Sequence, residues 1–210
     1  MARAALGKDA LAQADLTQAL KLDPGFAYAD FALGRYALRR GDYAGAARLF
    51  AAAASDGAKP VAMAAMISRV YEKADRFADA YPYADRVLAA SQGKSRPVDL
   101  NNSCWLRAEA GRDLQRALED CDAALRLEPG AASFLDSRGL VQLRLGALDK
   151  AVADYTSALS ESPELATSLF GRAIAETRLG ETAKAQADAD KAHSLDREVE
   201  GRFQAWGLSR

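Results

Sequence analysis

The chain has 210 residues, of which half are hydrophobic and only 8% aromatic, and its 28 basic and 29 acidic residues leave a net charge of −1. This balance differs from the clustered basic charge of nucleic-acid-binding proteins. No apolar run approaches the roughly 18 residues of a membrane span. Abundant alanine and few aromatic residues favour closely packed helices over a sheet. We therefore predict a helical protein that neither binds nucleic acid nor inserts into a membrane.

Alanine recurs along the chain at a nearly constant interval. Six alanines are separated by 34, 34, 37, 34 and 34 residues, namely Ala12, Ala46, Ala80, Ala117, Ala151 and Ala185. The residues four and seven positions after each alanine are again small or apolar, which places all three on one face of a helix. A repeat of this length predicts a stack of similar units, because one unit cannot bury its apolar face alone.

Glycine and proline mark the ends of two helices within a unit. A glycine five residues before the alanine can end a first helix in a left-handed turn, and a proline twelve residues after it stops a second helix. These residues are Gly41, Gly146 and Gly180 before the alanine, and Pro24, Pro129 and Pro163 after it. A small residue also stands twelve positions before the alanine, as Gly34, Ser68, Gly139 and Ala173.

The segments GRYALRRGDYAGAARLF and SRGLVQLRLGALDKAVADYTSALSESP are similar to the tetratricopeptide repeat consensus. The resemblance covers nearly the whole chain. It implies an all-α fold, a right-handed α-α superhelical solenoid of helix hairpins with a C-terminal capping helix. The expected single array consists of a truncated repeat at 1–25, full repeats at 27–60, 61–94, 97–130, 131–164 and 165–197, and a cap at 198–208.

The first repeat is shorter than the others. It begins at a turn expected at Gly7, with about half of a first helix before it. Because solenoids usually end in a capping element, we expect that the chain was cut from a longer protein. The opening residues, MARAALGKDALA, lack the pattern of a secretory signal. A cytoplasmic location is therefore the default expectation, and export is expected only if a signal precedes them.

The period is irregular between the third and fourth repeats. Pro82 falls inside a predicted second helix and is expected to kink it, because proline removes a hydrogen bond and clashes with the preceding turn. Polar residues 91–97 predict a longer loop, and Gly111 precedes its alanine by six residues instead of five. Two interpretations stay open: the array merely bends here, or the bend separates two half-arrays and shapes a binding face.

After the last repeat, Glu198 to Trp206 predict one more helix. Its spacing places Val199, Phe203 and Trp206 on one face, which we expect to cover the last repeat as a cap. A tail that recruits a partner is the alternative.

No combination of residues predicts catalysis. The only histidine, His193, has no metal-ligand spacing with Cys104 and Cys121, and no Ser/His/Asp or Cys/His order stands out. We therefore expect no enzyme activity, no metal site and no cofactor. Cys104 and Cys121 lie on the two helices of one hairpin. They are either two buried small apolar side chains or a disulfide, which would indicate an oxidising compartment.

Charged residues recur at fixed positions of the repeat. Arg138 and Arg172 precede the small residue of the first helix, while Asp120, Asp154 and Asp188 precede the middle position of the second helix. We expect these charges to form ion pairs between helices rather than to bind a ligand.

The resemblance also implies a groove lined by the first helices. The residue after the small one points into it, and the residue four positions earlier lies one turn away on the same stripe. These groove positions are Phe31, Arg35, Ala65, Arg69, Asn101, Trp105, Asp136, Leu140, Phe170 and Ile174. The stripe changes from basic to apolar along the chain, and its Trp and Phe side chains are typical anchors for a partner. Alternatively, the cap or another domain covers it.

The groove predicts a scaffold that binds a protein or peptide segment. A carboxylate clamp for chaperone tails needs Lys and Asn at set first-helix positions. Those positions carry Phe31, Arg35, Met66, Val98 and Asn102 here, so chaperone tails are not the expected ligand.

A second resemblance concerns LNNSCWLRAEAGRDLQRALEDCDAALRLEPG, the following SRGL and the terminal RFQAWGL. These segments look like the C-terminal repeat region of bacterial transglutaminase-like proteins. The implied alternative is an accessory arm of a larger multidomain protein, with its groove filled by the same polypeptide. Export, which is common in those proteins, would favour a bridge between Cys104 and Cys121.

Overall fold

The structure, a computed structural model, describes residues 2–57 and 59–210, with side chains from Asp9 onward. Within these ranges the chain forms twelve α-helices and one short 3-10 helix, and no strand. The helices are α1 (Ala2–Leu22), α2 (Ala27–Arg39), α3 (Tyr43–Ser55), α4 (Pro60–Glu72), α5 (Phe77–Ala90), α6 (Arg96–Ala110), α7 (Leu114–Leu127), α8 (Ala132–Arg144), α9 (Leu148–Glu161), α10 (Ala166–Leu179), α11 (Thr182–Leu195) and α12 (Val199–Ala205). The prediction of an all-α fold built from helix hairpins is confirmed.

The helices pack as five hairpins in two compact units. The first helices α2, α4, α6, α8 and α10 each pack on the following second helix, α3, α5, α7, α9 or α11. Unit 1 spans Met1–Ala90 and unit 2 spans Ser91–Arg210. In unit 2 the first helices also contact one another, α6 with α8 and α8 with α10, whereas in unit 1 α2 and α4 are joined mainly through α3.

The alanine ladder forms the contact between the helices of each hairpin. From Ala46 to Ala185 every alanine of the series is buried, with at most 2% of its surface exposed. In two hairpins the small residue of the first helix is a glycine that packs against an aromatic ring of the second helix. A Cβ atom on Gly34 would lie 2.7 Å from Cε1 of Phe50, and one on Gly139 would lie 2.8 Å from Cε1 of Tyr155. A Cβ atom at either position would overlap the aromatic ring, so these two contacts require glycine. The packing between the helices thus accounts for the glycine that recurs at this position of the repeat.

The turns inside the hairpins use a left-handed residue, as the glycine spacing predicts. Gly41 has φ 76° and Gly180 has φ 85°, and in the α4–α5 turn Asp75 takes this conformation with φ 54°. The α6–α7 turn has two such residues, Gly111 at 62° and Asp113 at 48°. The second one accommodates the extra residue that the sequence places between Gly111 and its alanine.

Two expectations about the helix ends are wrong. No turn occurs at Gly7, because α1 is continuous from Ala2 to Leu22; an interior glycine costs only about 1 kcal/mol relative to alanine, and the surrounding alanines and leucines favour the helix. The polar loop predicted at 91–97 is also shorter. It contains a 3-10 turn at Gly93–Ser95, and α6 begins at Arg96 with a proline in its first turn, where the missing N–H is not needed.

The helix α5 continues through Pro82 from Phe77 to Ala90. Its neighbours α3 and α4 share with it the core of unit 1, which is centred on Phe50, Ile67 and Val70. The half-buried rings of Phe31 and Tyr83 pack against this core. Unit 1 therefore has an apolar interior of its own.

Candidate partner-binding site

The groove positions of unit 1 are open to solvent. Arg35 on α2 and Arg69 on α4 stand 34 residues apart at the same position of the repeat, and both are exposed. Neither forms an ion pair with any residue that the structure describes. The half-buried side chains of Phe31 and Met66 lie near them and pack on the core of unit 1, with the ring of Phe31 5.9 Å from that of Phe50. Each arginine therefore lies about one turn from a half-buried apolar side chain of its own helix, and these two side chains, Phe31 and Met66, are the apolar floor of the groove.

The groove positions of unit 2 are mostly closed. Leu140, Phe170 and Ile174 have at most 1% of their surface exposed, and Asn101 and Asp136 are buried as well. Trp105 is half-buried. The apolar half of the predicted stripe is therefore present in the structure, but little of it faces solvent.

Aromatic residues of the C-terminal segment, residues 199–210, cover the stripe of unit 2. The ring of Phe203 lies 5.2 Å from Phe170, and the ring of Trp206 meets Trp105 edge-on at 5.6 Å. Val199, Phe203, Trp206 and Leu208 are themselves buried, with at most 8% of their surface exposed. The cap was expected on the last repeat, with cover of the groove stripe as the alternative; the observed segment reaches α6, two repeats earlier.

Arginine side chains at the ends of first helices hold the backbone of this segment. Nη2 of Arg144 donates to the carbonyl oxygen of Trp206 at 2.7 Å and to that of Glu109 at 3.0 Å. Nη2 of Arg178 donates to the carbonyl oxygen of Ser209 at 3.2 Å. Burial lowers the pKa of Arg144 from its usual value. These two arginines were not predicted as site residues, because only the position of a segment distant in sequence gives them a role.

Asp136 is a groove position with an unusual environment. Its carboxylate accepts hydrogen bonds from Ser168 Oγ at 2.5 Å and from Thr167 Oγ1 at 2.9 Å, both on α10. Burial raises the pKa of Asp136 to about 6, against the lowering effect of these two hydrogen bonds. The side chain thus joins α8 to α10 and has no open path to a partner.

The predicted ion pairs lie between the helices of unit 2. Arg138 donates to both oxygens of Asp154, at 2.9 and 2.7 Å, and to Asp122 of the preceding repeat at 2.9 Å. Arg172 donates to both oxygens of Asp188, at 2.6 and 2.9 Å. The hydrogen bonds to the aspartates raise the pKa of both arginines. These contacts have a structural role, as expected.

At the corresponding position in unit 1 the charged pairs are replaced by apolar residues. Ile67 stands where unit 2 has Arg138, and Tyr83 stands where it has Asp154. A shallow cleft of about 430 Å³ lies there between α3, α4 and α5. Cζ of Arg86 lies 5.0 Å from the centre of the Tyr83 ring, and both side chains line the cleft.

Cys104 and Cys121 form a disulfide between α6 and α7, and both residues are fully buried. Their Cα atoms are 5.5 Å apart, within the range that a disulfide requires. The pair occupies the register at which Gly34 meets Phe50 and Gly139 meets Tyr155. A covalent bond therefore replaces the contact between glycine and an aromatic ring in this hairpin.

His193 lies on α11 and contacts the C-terminal segment. Its Nε2 is 3.1 Å from Oε2 of Glu200, and its ring lies 5.5 Å from that of Phe170. Over the described ranges, no group of three or more His, Cys, Asp or Glu side chains is placed to hold a metal ion. The helices described here are too short or too polar for any of them to cross a membrane.

A family model described as tetratricopeptide repeat matches residues 1–62 and 106–166. Among solved structures, a crystal structure of MamA protein is 17% identical, covers 88% of this chain and 97% of its own, and has a TM-score of 0.63. The structure of YrrB, described as a TPR protein with an unusual peptide-binding site, is 14% identical over 92% and 98% of the two chains, with a TM-score of 0.58.

TTC0263, a thermophilic TPR protein in Thermus thermophilus, is 21% identical over 86% and 97% of the two chains, with a TM-score of 0.58. The comparison with curated proteins gave no significant match. At these identities the solved structures establish the fold alone.

Proposed function

Because the chain belongs to the tetratricopeptide repeat family, we propose that it is a protein-interaction scaffold whose open binding site is the groove of unit 1. The observation that carries this proposal is the difference in exposure between the two units. Arg35 and Arg69 are exposed, whereas Leu140, Phe170 and Ile174 are buried. A partner segment can therefore reach the two arginines directly.

The chemistry of this groove fits a segment that combines carboxylates with an apolar side chain. Guanidinium groups bind carboxylates through paired hydrogen bonds, and those of Arg35 and Arg69 have no ion pair with a described residue. The apolar floor at Phe31 and Met66 is half-exposed and can pack against the apolar side chain of the partner. A similar structure, YrrB, is described as having a peptide-binding site, which is consistent with a peptide as the ligand class.

The test is a peptide selection against the full-length chain, followed by affinity measurements on the selected peptides. We expect enrichment of peptides with acidic residues beside an apolar one. Arg35→Glu/Arg69→Glu should weaken their binding at least about tenfold, because a hydrogen bond to a charged group contributes about 1.5–3 kcal/mol. Binding to the wild-type chain should also weaken as salt is raised, since the arginines are exposed. Fluorescence anisotropy at two salt concentrations measures both effects.

The matched control is Arg48→Glu/Arg86→Glu, which makes the same change in net charge on the second helices of unit 1. Both control arginines are exposed. This variant should bind the selected peptides like the wild type. An equal loss of affinity in both double variants, or a selection without acidic peptides, would reject the groove of unit 1 as the binding site.

A second candidate function is that of a structural arm whose groove is filled by the same polypeptide. It is favoured by one observation: the C-terminal segment already covers the groove of unit 2. A photo-crosslinking amino acid in place of Phe31, introduced into the protein in its cell, separates the two functions. A crosslinked product with the mass of one chain would support the arm, whereas added mass from another protein would support the scaffold.

A further inference from the structure

We propose that the groove of unit 2 is a second binding site, occupied in this structure by the chain's own C-terminal segment. The site accepts, from another molecule, a short helix with two aromatic residues three positions apart, followed by a glycine turn. In the chain itself these residues are Phe203, Trp206 and Gly207. The proposal goes beyond the groove of unit 1, because it concerns other helices and a ligand of different chemistry.

The C-terminal segment contacts the groove as a ligand would, through two anchor side chains. Phe203 lies on α12 and Trp206 directly follows this helix, and their rings are 4.8 Å apart. Phe203 meets Phe170 on α10, and Trp206 meets Trp105 on α6. Aromatic side chains buried at the centre of an interface are the residues that usually dominate binding. Two aromatic residues that are three positions apart thus contact first helices of two different repeats.

The first helices make polar contacts with the backbone of the segment, whereas its side chains Glu200 and Arg210 contact His193 and Gln186 on α11. Arg144 and Arg178 donate to the carbonyl oxygens of Trp206 and Ser209. Gly207, with φ 75°, turns the chain after the helix so that Leu208 is also buried. Any segment with the same aromatic spacing and turn offers the same carbonyl groups to Arg144 and Arg178, so we expect the first helices to select this pattern and to tolerate changes at the side chains that contact α11.

The segment depends on the groove for its own structure. The helix α12 has only seven residues, and isolated helices of this length are not stable in water. Its connection to α11 is a short turn in which Arg197 and Glu198 are exposed. The segment is therefore a short peptide that folds on a preformed surface, to which one covalent link tethers it.

The side chain of Asn101 has a polar atom that the segment does not contact. Asn101 lies one turn before Trp105 on α6, and its buried Oδ1 has no hydrogen-bond partner among the described residues. A buried acceptor without a partner costs about 1–3 kcal/mol. A ligand from another molecule that brings a donor to Asn101 would recover this cost, and could thereby compete with the tethered segment.

Tethering determines how the site can be observed. A short flexible link gives the segment an effective concentration on the order of millimolar, so an added peptide competes poorly in the intact chain. We therefore place a protease cleavage sequence between Arg197 and Glu198, and cleave the otherwise native full-length chain after folding. A labelled peptide of residues 198–210 is then added in excess, and its exchange is measured by fluorescence anisotropy and gel filtration.

The expected result is saturable binding of the labelled peptide to the cleaved chain, and binding at least about tenfold weaker to the intact chain. Trp105→Ala in the cleaved chain should weaken binding at least about tenfold, as expected for a central aromatic contact. The matched control Leu127→Ala changes an exposed residue of α7 in the same unit and should have no effect. A second peptide that keeps only Phe203, Trp206, Gly207 and Leu208, with the other residues exchanged, should also bind.

Three outcomes would overturn the proposal. The first is a cleaved chain that keeps its helical content but neither retains its own segment nor binds the added peptide. The second is equal binding of the peptide to cleaved and intact chains, which would place the peptide outside this groove. The third is binding of the native peptide without binding of the second peptide, since the site would then be a cap specific to its own sequence.

Discussion

At the scale of single residues, Asp136 illustrates how burial changes a groove position. Its carboxylate is buried between α8 and α10, where it accepts hydrogen bonds from Ser168 and Thr167. These bonds stabilise the charged form, but desolvation outweighs them and raises the pKa to about 6. The folded protein therefore binds a proton at Asp136 at a pH where the unfolded chain has released it.

This shift predicts a pH dependence of stability with a definite sign. Between pH 4 and 6 the folded state holds more protons than the unfolded state, so the contribution of Asp136 to stability falls as the pH rises. A shift from 3.8 to about 6 corresponds to a loss of about 3 kcal/mol, at 1.36 kcal/mol per pKa unit. Asp136→Asn should remove this loss and should gain stability relative to the wild type from pH 4.5 to pH 7.5. Urea unfolding at several pH values measures the difference.

The control for this prediction is Asp149→Asn, which removes an exposed carboxylate from α9. It should leave the pH dependence of the wild type unchanged. A stability difference between Asp136→Asn and the wild type that is the same at pH 4.5 and pH 7.5 would contradict the raised pKa.

The residues of the candidate site could be predicted only in part. The period placed Arg35, Arg69 and Trp105 at equivalent positions on first helices, and Phe170 four residues before that position, because side-chain direction follows helix geometry. It could not predict which of them are exposed. Exposure in unit 2 depends on a segment that follows Trp105 by about a hundred residues in the sequence, and such long-range contacts leave no periodic signal.

At the scale of helices, the contact between the two helices of a hairpin takes different forms at one register. Gly34 meets the ring of Phe50, and Gly139 meets the ring of Tyr155, which also touches Gly171 of the next hairpin. In the α6–α7 hairpin the same register holds the disulfide of Cys104 and Cys121. The spacing predicted that these two residues face each other, but not that they are bonded, because a bond also requires a short distance between the Cα atoms.

Removal of this bond should destabilise unit 2. The two cysteines are 17 residues apart, and closing a loop of this length stabilises a protein by about 3 kcal/mol in the chain-entropy model. Cys104→Ala/Cys121→Ala should lose about this amount in urea unfolding, and the double variant should not respond to a reductant. Both sulfur atoms are buried, so the wild type should respond to a reductant only when it is added together with the denaturant.

Two results would contradict this prediction. One is a double variant that unfolds at the same urea concentration as the wild type. The other is a wild-type chain whose unfolding in urea is unchanged by a reductant.

Helix ends were more predictable than helix contacts. The left-handed turns at Gly41, Gly146 and Gly180 and the stops before Pro24, Pro129 and Pro163 follow from local backbone chemistry, which acts over a few residues. The turn predicted at Gly7 failed for the same reason. A glycine alone does not end a helix when its neighbours favour one and when no proline or capping residue follows.

At the scale of the whole molecule, the chain consists of two units with different means of stabilisation. Unit 1 has an apolar core centred on Phe50 and Ile67, and its groove carries exposed arginines. Unit 2 has charged pairs between the two helices of a hairpin, a disulfide and the C-terminal segment. The interval of 37 residues in the sequence and the division at Ala90 fall in the same region. A repeat array gains stability from contacts between neighbouring repeats, so changes in one unit need not affect the other.

The C-terminal segment provides a test of this separation. The contacts of Trp206 described above are with Trp105, Arg144 and Phe203, all in unit 2, and its side chain is buried. Truncating a buried tryptophan to alanine costs about 3–5 kcal/mol. Trp206→Ala should therefore raise the amide hydrogen exchange of α6, α8 and α10, where the segment lies, and should leave α2 to α5 unchanged. Exchange measured by mass spectrometry on peptides from each helix separates the two units.

The matched control for Trp206→Ala is again Leu127→Ala, because this leucine belongs to unit 2 but is 55% exposed. Its removal should leave exchange near the wild-type rates throughout, since little apolar surface is lost from the interior. Equal increases of exchange in α2–α5 and in α6–α10 after Trp206→Ala would show that the molecule opens as one cooperative body. An increase confined to α12 would show instead that the segment covers the groove without stabilising it. We expect faster exchange in α6, α8 and α10 but not in α2–α5. Phe203 and Trp206 together join α10 and α6, which are two repeats apart, so the loss of the Trp206 ring weakens the whole of unit 2.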